Sequence, residues 1–327
     1  MRIAVDAMGG DFAPREVVAG TVRAAREFAD TEFLLVGVET AVREELAKAE
    51  GGPPANIALV HAPEVLGMGE APTEALRGKK NCSVTVSTRL VADGKAEAVF
   101  SAGNTGAAVA CATVLLKPIK GIKRSGIAVI VPTHKGPVVL IDVGANIHCQ
   151  PTHLLQYGLM ASVFSREIIG VASPRVGLLN IGSEDEKGNP LVREAHVLLE
   201  QHSGINFVGN VEGRDIFKGA CDVVVCEGFV GNVILKVTEG LAASLLADVH
   251  DALNKANPDR KADSRQVLKD LMSRNDYAEY GGAPLLGVDG ICIIGHGSSD
   301  ARAVFNALRA AREFGGHGVI DLIAKAV

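Results

Sequence analysis

Short apolar runs rich in Val, Ile and Leu recur along the chain, each followed by small or polar residues and then by a stretch with helical spacing. They predict strands near 2–6, 33–38, 56–60, 97–101, 126–131, 137–142, 175–179, 205–208, 222–226 and 290–294. Apolarity within the runs is continuous rather than alternating, which requires burial on both faces, as in a largely parallel sheet between two helical layers. The pattern therefore predicts a doubly wound α/β architecture.

The intervening stretches carry helix signals. "PREVVAGTVRAAREFAD" opens on Pro14 and sets Val17, Val18, Val22, Ala25 and Phe28 on one face. "SSDARAVFNALRAAREF" offers Ser299 or Asp300 as an N-cap before the apolar face of Val304, Phe305, Leu308 and Ala311. Both read as helices covering the sheet. Residues 236–255 form a longer amphipathic pattern (Val237, Leu241, Leu245, Val249, Leu253), broken at "NKANPDRK" and resumed through Val267, Leu268, Leu271 and Met272. Two helices around an Asn-Pro turn predict a hairpin over 236–280, projecting from a single domain of residues 1–327. Its apolar stripe suits an ordinary insertion, a dimer arm, or contact with a membrane or partner.

At 327 residues the chain can bury a large core. A net charge of −5 and 4% aromatic residues disfavour a nucleic-acid binder, which needs a basic face and stacking platforms. The six cysteines are scattered, several within apolar runs, and fit reduced thiols in a cytoplasm. The N-terminal apolar run is too short for a signal peptide, and no apolar stretch approaches the roughly 18 residues of a transmembrane helix. The expectation is a soluble protein, or at most one that touches a surface.

Ligands of open α/β sheets sit beyond the carboxyl ends of strands. The residues there are "DAMGGD" (6–11), "SAGNTGA" (101–107), "DVGAN" (142–146), "NIGSEDEKGN" (180–189), "GNVEG" (209–213), "EGFVGN" (227–232) and "GHGSSD" (295–300). Any one of these is an ordinary turn, but seven alike predict a polar cleft rich in backbone donors, suited to an oxyanion. Nucleotide fingerprints do not fit. Neither Gly-Lys pair completes a P-loop, and in "GHGSSD" Asp300 stands where the dinucleotide pattern needs its third Gly.

No Gly-x-Ser-x-Gly elbow, His-Glu-x-x-His or paired Cys-x-x-Cys occurs. "HCQPTH" (148–153) has His and Cys, but Pro151 disrupts ligand spacing, so no metal site is expected. Cys226 and Cys292 lie in strands and read as buried, inert thiols. Lys187, the cation of an acidic loop, suits either a surface ion pair or an anion contact if that loop folds over the cleft. His296 suits either a structural hydrogen bond or a proton donor.

In order along the chain, "VDAMGGDFAP", "HAPEVLGMGEAPTEALRGKK", "SAGNTGAAVA", "DVGAN", "NIGSEDEKGN", "EGFVGNVILK" and "EYGGAPLLG…GHGSSDARA" resemble the bacterial phosphate acyltransferases of phospholipid synthesis. The resemblance implies a three-layer α/β/α fold related to phosphotransacetylases and isopropylmalate dehydrogenases. It also implies a homodimer without a metal, and transfer of a fatty acyl chain from acyl carrier protein to inorganic phosphate. Phosphopantetheine then arrives on the carrier and no resident cofactor is implied. The resemblance implies further that the acyl phosphate passes to a membrane glycerol-3-phosphate acyltransferase, and that the enzyme is cytoplasmic with peripheral contact to the cell membrane through the hairpin.

Phosphate already carries anionic oxygens and a thiolate leaves readily, so the protein must chiefly position phosphate, stabilise the tetrahedral oxyanion and exclude water. For that chemistry Lys187, His296 and Asn232 are the expected catalytic residues. Phosphate or oxyanion contacts are expected from Asp6, Gly9, Gly10, Ser101, Gly103, Asn104, Thr105, Asn146 and Ser298. Acyl carrier protein is acidic, and "KPIKGIKR" supplies a basic dock in Lys117, Lys120, Lys123 and Arg124, with "RGKK" (77–80) as a second cluster. A short-chain phosphotransacetylase, a dehydrogenase on the related fold and an inactive scaffold of lipid synthesis stay open on the residues alone.

Overall fold

In the computed structural model, which describes residues 1–256 and 281–327, alternate residues of each central strand feed different cores. In β1 (Arg2–Asp6), Ile3 and Val5 join one core and Ala4 another. Burial on both faces explains the continuous apolar runs. The other strands are β2 (Glu32–Gly37), β3 (Ile57–His61), β4 (Ala98–Ser101), β5 (Gly126–Val131), β6 (Val138–Ile141), β7 (Arg175–Leu179), β8 (Asn206–Val211), β9 (Val223–Val225), β10 (Ala283–Leu286) and β11 (Ile291–Ile294). They form one sheet in the order β3-β2-β1-β4-β11-β10-β5-β6-β9-β7-β8.

Helices α1 (Arg15–Glu27), α2 (Glu39–Ala47), α5 (Pro151–Phe164) and α6 (Pro190–Gln201), with α8 (Ala301–Gly316) and α9 (Val319–Ala326), pack on one face. The other face carries α3 (Ser83–Ala92), α4 (Thr105–Cys111) and α7 (Gly228–Ala256). The architecture is α/β/α. Asp300 caps α8, its carboxylate accepting from Ala303 N at 2.8 Å.

The sheet is not parallel throughout. β3, β2, β1, β4 and β11 are mutually parallel, and so are β6, β9, β7 and β8. Between the two sets, β10 runs antiparallel to both β11 and β5, and β5 runs antiparallel to β6. Three successive reversals make the two parallel sets point in opposite directions. Their carboxyl ends therefore lie on opposite edges of the sheet, and the seven polar loops divide between those edges. β10 is the strand that the hydrophobic pattern missed. It is four residues long and contains Pro284, which has no N–H to give to a ladder.

Helix α7 begins earlier than the amphipathic pattern indicated and absorbs part of the expected "EGFVGN" loop, so Asn232 is a helical residue. The Glu227 carboxylate starts the helix by accepting from Phe229 N at 2.7 Å and Val230 N at 3.0 Å. The most apolar stretch of its segment Gly228–Leu253 has a mean hydropathy of 1.4 and is only 6% buried, and the segment is long and apolar enough by composition to cross a membrane. That corrects the expectation that no stretch reaches this length. Lys236 and Glu239 interrupt the apolar run in sequence, whereas the helix continues through them. The hairpin turn and its returning arm lie outside the described residues.

At the far half of the sheet, Arg175 grips Asp222 through Nε at 3.0 Å and a terminal nitrogen at 3.0 Å, tying the starts of β7 and β9. Burial opposes ionisation of Asp222, but these bonds outweigh it and hold the carboxyl below its usual 3.8. A lowered folded value confers stability present above the unfolded value and lost as pH falls through the folded one. Asp222→Asn is therefore expected to be about 1 kcal/mol less stable than wild type at neutral pH, and to converge with it as the pH falls through the lowered folded value of Asp222. Urea unfolding across that range measures the difference; a gap that persists in acid contradicts it.

Candidate active site

Three loops meet at the edge formed by β1, β4 and β11. Asp6 ends β1, and its buried carboxylate accepts from Ser101 Oγ at 2.6 Å and Met8 N at 3.2 Å. Gly103 N donates to Ser101 Oγ at 3.2 Å, and Asp11 N to Gly297 O at 2.7 Å. At Gly9 a Cβ would lie 2.7 Å from both the Asp6 carboxylate and Gly103 N, so only glycine permits the approach. Gly10, at φ +113°, packs against Gly297 O and Ala102 O. Burial pushes the Asp6 carboxyl up from its ordinary value, against the pull of its donors.

Asn104 is occupied at both ends of its amide. The oxygen accepts from Ala107 N at 3.0 Å and caps α4, while the nitrogen donates to Met68 O and Glu70 O. Thus Asn104 clamps the 66–72 segment onto the helix. In the same segment Lys79 binds Glu70 at 2.6 Å and Val65 O at 2.8 Å, which ties that member of "RGKK" to the loop.

At the opposite edge, Asp142 follows β6 and is fully buried. Its Oδ1 accepts from the amides of Ile127, Gly144 and Ala145, and its Oδ2 from Asn146 N and Nδ2. Burial raises this carboxyl too, and the amides draw it back. Asn146 Nδ2 also reaches Ser125 O at 2.6 Å and Tyr157 OH at 2.9 Å. Gly228 N donates to Asn146 O at 2.8 Å, seating the start of α7 on this loop. Asn146 is thus part of a structural network around Asp142.

Helix α7 crosses from that edge to the first one over the antiparallel strands, and encloses a cavity of about 130 Å³ against them. Ile127, Val129, Val143, Leu235 and Ile294 give it an apolar lining; Thr105, Asn232, Lys236, Glu239 and His296 supply polar groups. Of the residues expected from the sequence, Thr105, Asn232 and His296 come together here, and Ser298 joins through a 2.7 Å hydrogen bond between its hydroxyl and His296 Nδ1. Asp6, Gly9, Gly10, Ser101, Gly103 and Asn104 build the neighbouring loop cluster and do not line it. Lys187 is exposed on the loop after β7 and is not part of the wall.

Sequence reasoning missed Lys236 and Glu239. The available signal was spacing: Lys236 ends the run "GNVILK" one helical turn after Asn232, so a helix places both on one side. His153, from "HCQPTH", accepts from Gln150 N at 3.0 Å in a capping box for α5. Burial pushes the Cys292 thiol up to about 12, and it pushes Cys226 well above its ordinary value, which suits inert core thiols.

An apolar floor with an ammonium, an imidazole and neutral polar groups at its side can hold an amphiphile whose reacting end becomes anionic. A family model described as "Fatty acid synthesis protein" matches residues 1–322. The chain is 52% identical over 315 residues to a phosphate acyltransferase of Pelotomaculum thermopropionicum, covering 96% of this chain and 91% of that protein. It is 50% identical over 329 residues to one of Desulfitobacterium hafniense, with 99% and 97% covered. Among solved structures, a phosphotransacetylase from Streptococcus pyogenes aligns with a TM-score of 0.62 at 16% identity, covering 100% of this chain and 94% of the other. One from Staphylococcus aureus gives 0.60 at 16% identity with the same coverage. These two likenesses concern the fold. Full-length agreement with the family model and near 50% identity to its curated relatives carry the assignment: this chain is an enzyme of the phosphate acyltransferase family.

Proposed function

We propose that the enzyme transfers a long-chain fatty acyl group from acyl carrier protein to inorganic phosphate. A phosphate oxygen bonds to the thioester carbonyl carbon, the C–S bond breaks with its electron pair leaving on the carrier's sulfur, and the proton of hydrogen phosphate, exchanged through solvent, ends on that sulfur, giving acyl phosphate and free thiol. The observation that carries this reading is the cavity, where an apolar floor meets Thr105, Asn232 and His296 at the carboxyl end of β11. Apolar walls suit the carbonyl end of an acyl chain, and the polar groups suit phosphate and the oxyanion. Lys187, on an exposed loop at the edge where α7 begins, is assigned an anion contact from outside the cavity.

Lys117, Lys120, Lys123 and Arg124 are all exposed on the segment before β5, which supports their reading as the dock for an acidic carrier. Along α7, Phe229, Val233, Val237, Leu241, Leu245 and Val249 recur every fourth residue with exposures from 42% to 63%. An apolar stripe of that length, exposed among the described residues, supports a homodimer contact and peripheral membrane association, in a cytoplasmic enzyme whose product feeds a membrane glycerol-3-phosphate acyltransferase.

The test is release of carrier thiol from palmitoyl acyl carrier protein with and without phosphate, while hydroxylamine traps acyl phosphate. Phosphate-dependent release with matching hydroxamate is expected. Release without phosphate marks a thioesterase and refutes the proposal. The small cavity favours one second reading, transfer of a short acyl group, and faster turnover of acetyl-CoA than of the long-chain carrier selects it.

A further inference from the structure

Lys236 Nζ lies 2.9 Å from Glu239 Oε2 and 3.1 Å from His296 Nε2. An ammonium has three N–H donors and no acceptor. Nε2 therefore accepts from Lys236, while Nδ1 lies 2.7 Å from Ser298 Oγ and 3.3 Å from Ser298 N. Both ring nitrogens of His296 are engaged within the protein, so the imidazole is better placed to hold its neighbours than to meet substrate. Lys236 differs: Glu239 and His296 take two of its three donors, and one is left for a ligand. It is also the one ammonium or guanidinium lining the cavity among the described residues.

We propose that Lys236 is the cation that binds phosphate and the tetrahedral oxyanion in this cavity, with Glu239 and His296 as positioning residues that fix the ammonium against its wall. This rests on phosphate being the acyl acceptor. Glu239, three residues on along α7, restricts the lysine rotamer from the helix side, and His296 restricts it from the end of β11. The site therefore spans both packed elements and forms only when α7 lies across the antiparallel strands. Lys236 supplies charge and a hydrogen bond, and no proton has to leave it. With its side chain 48% exposed, solvent screens the charge and limits the effect of its loss.

Binding of inorganic phosphate by the full chain, read by titration calorimetry, tests the assignment apart from turnover. Steady-state thiol release at varied phosphate tests it within turnover. Lys236→Met is expected to weaken phosphate binding roughly ten- to a hundredfold and to raise the KM for phosphate similarly, the range for losing a hydrogen bond to a charged group. The KM for the acyl carrier should move by less than about twofold, and Lys236→Arg should recover much of the phosphate affinity. Unchanged phosphate affinity in Lys236→Met with an unaltered melting temperature overturns the assignment, whether or not the wild type transfers acyl groups. Phosphate binding lost in that variant, in a wild type without phosphate-dependent thiol release, sustains Lys236 and refutes acyl transfer. A wild type that binds no phosphate overturns both.

Discussion

Asp142→Ala is expected to destabilise the protein by about 3–5 kcal/mol and to abolish acyl transfer. The carboxylate is fully buried and accepts five N–H bonds, from Ile127, Gly144, Ala145 and the main-chain and side-chain nitrogens of Asn146. Alanine deletes every acceptor at once. Each buried donor left unmet costs about 1–3 kcal/mol, and water entering beside the partly exposed Ala145 and Asn146 keeps the sum below the simple total. Because Asn146 O holds Gly228 N, the damage passes into the start of α7, which carries Asn232 and Lys236 to the cavity. Asp142→Asn should lose about half as much, since one oxygen can still serve the three amides that bond Oδ1 while the new NH2 faces the Asn146 donors. Urea midpoints of the two variants give the comparison. A wild-type midpoint for Asp142→Ala would falsify this account of the loop.

Gly231→Ala should be about as severe for a steric reason. A Cβ there would lie 1.9 Å from Asp142 O and 2.9 Å from Cys226 Sγ, and the nearer contact is backbone that cannot rotate away. Alanine gains about 1 kcal/mol of helix propensity over glycine, against a clash costing about 3 kcal/mol or more because α7 must lift from the sheet. The same shift draws Lys236 from His296, so transfer should fall by at least about tenfold. Gly240→Ala supplies the comparison in the same helix: its Cβ meets no atom of the described residues within 4 Å, and the propensity gain should appear as equal or higher stability. Matching melting temperatures for the two variants would mean that close packing at Gly231 does not hold the helix.

Much of this site was readable in advance, and the unreadable parts share a cause. Loops rich in Gly, Asn and Ser after apolar runs located the regions around Asp6, Ser101, Asp142 and His296, because a chain leaving a buried strand for a ligand edge needs residues that tolerate tight turns. Their division between two edges was not readable. Strand direction in a sheet follows from how connections cross, and the reversal depends on β10, whose four residues with Pro284 give no strand pattern. Asn104 shows a second limit. Its position before a helix was legible, but the side chain holds Met68 O and Glu70 O from a segment more than thirty residues earlier.

By itself the sequence determined the α/β/α architecture, since strands apolar on every residue must be buried on both faces, and it determined the polar chemistry of the strand ends. The family was also legible, because its long motifs occur in order along the chain. The tertiary structure decided which of those groups meet. Lys236 and His296 are sixty residues apart, and their 3.1 Å contact exists because α7 crosses the antiparallel centre of the sheet to reach the end of β11. Hydrophobic periodicity reports which face of an element is buried, whereas the partner across that face depends on the path of the whole chain.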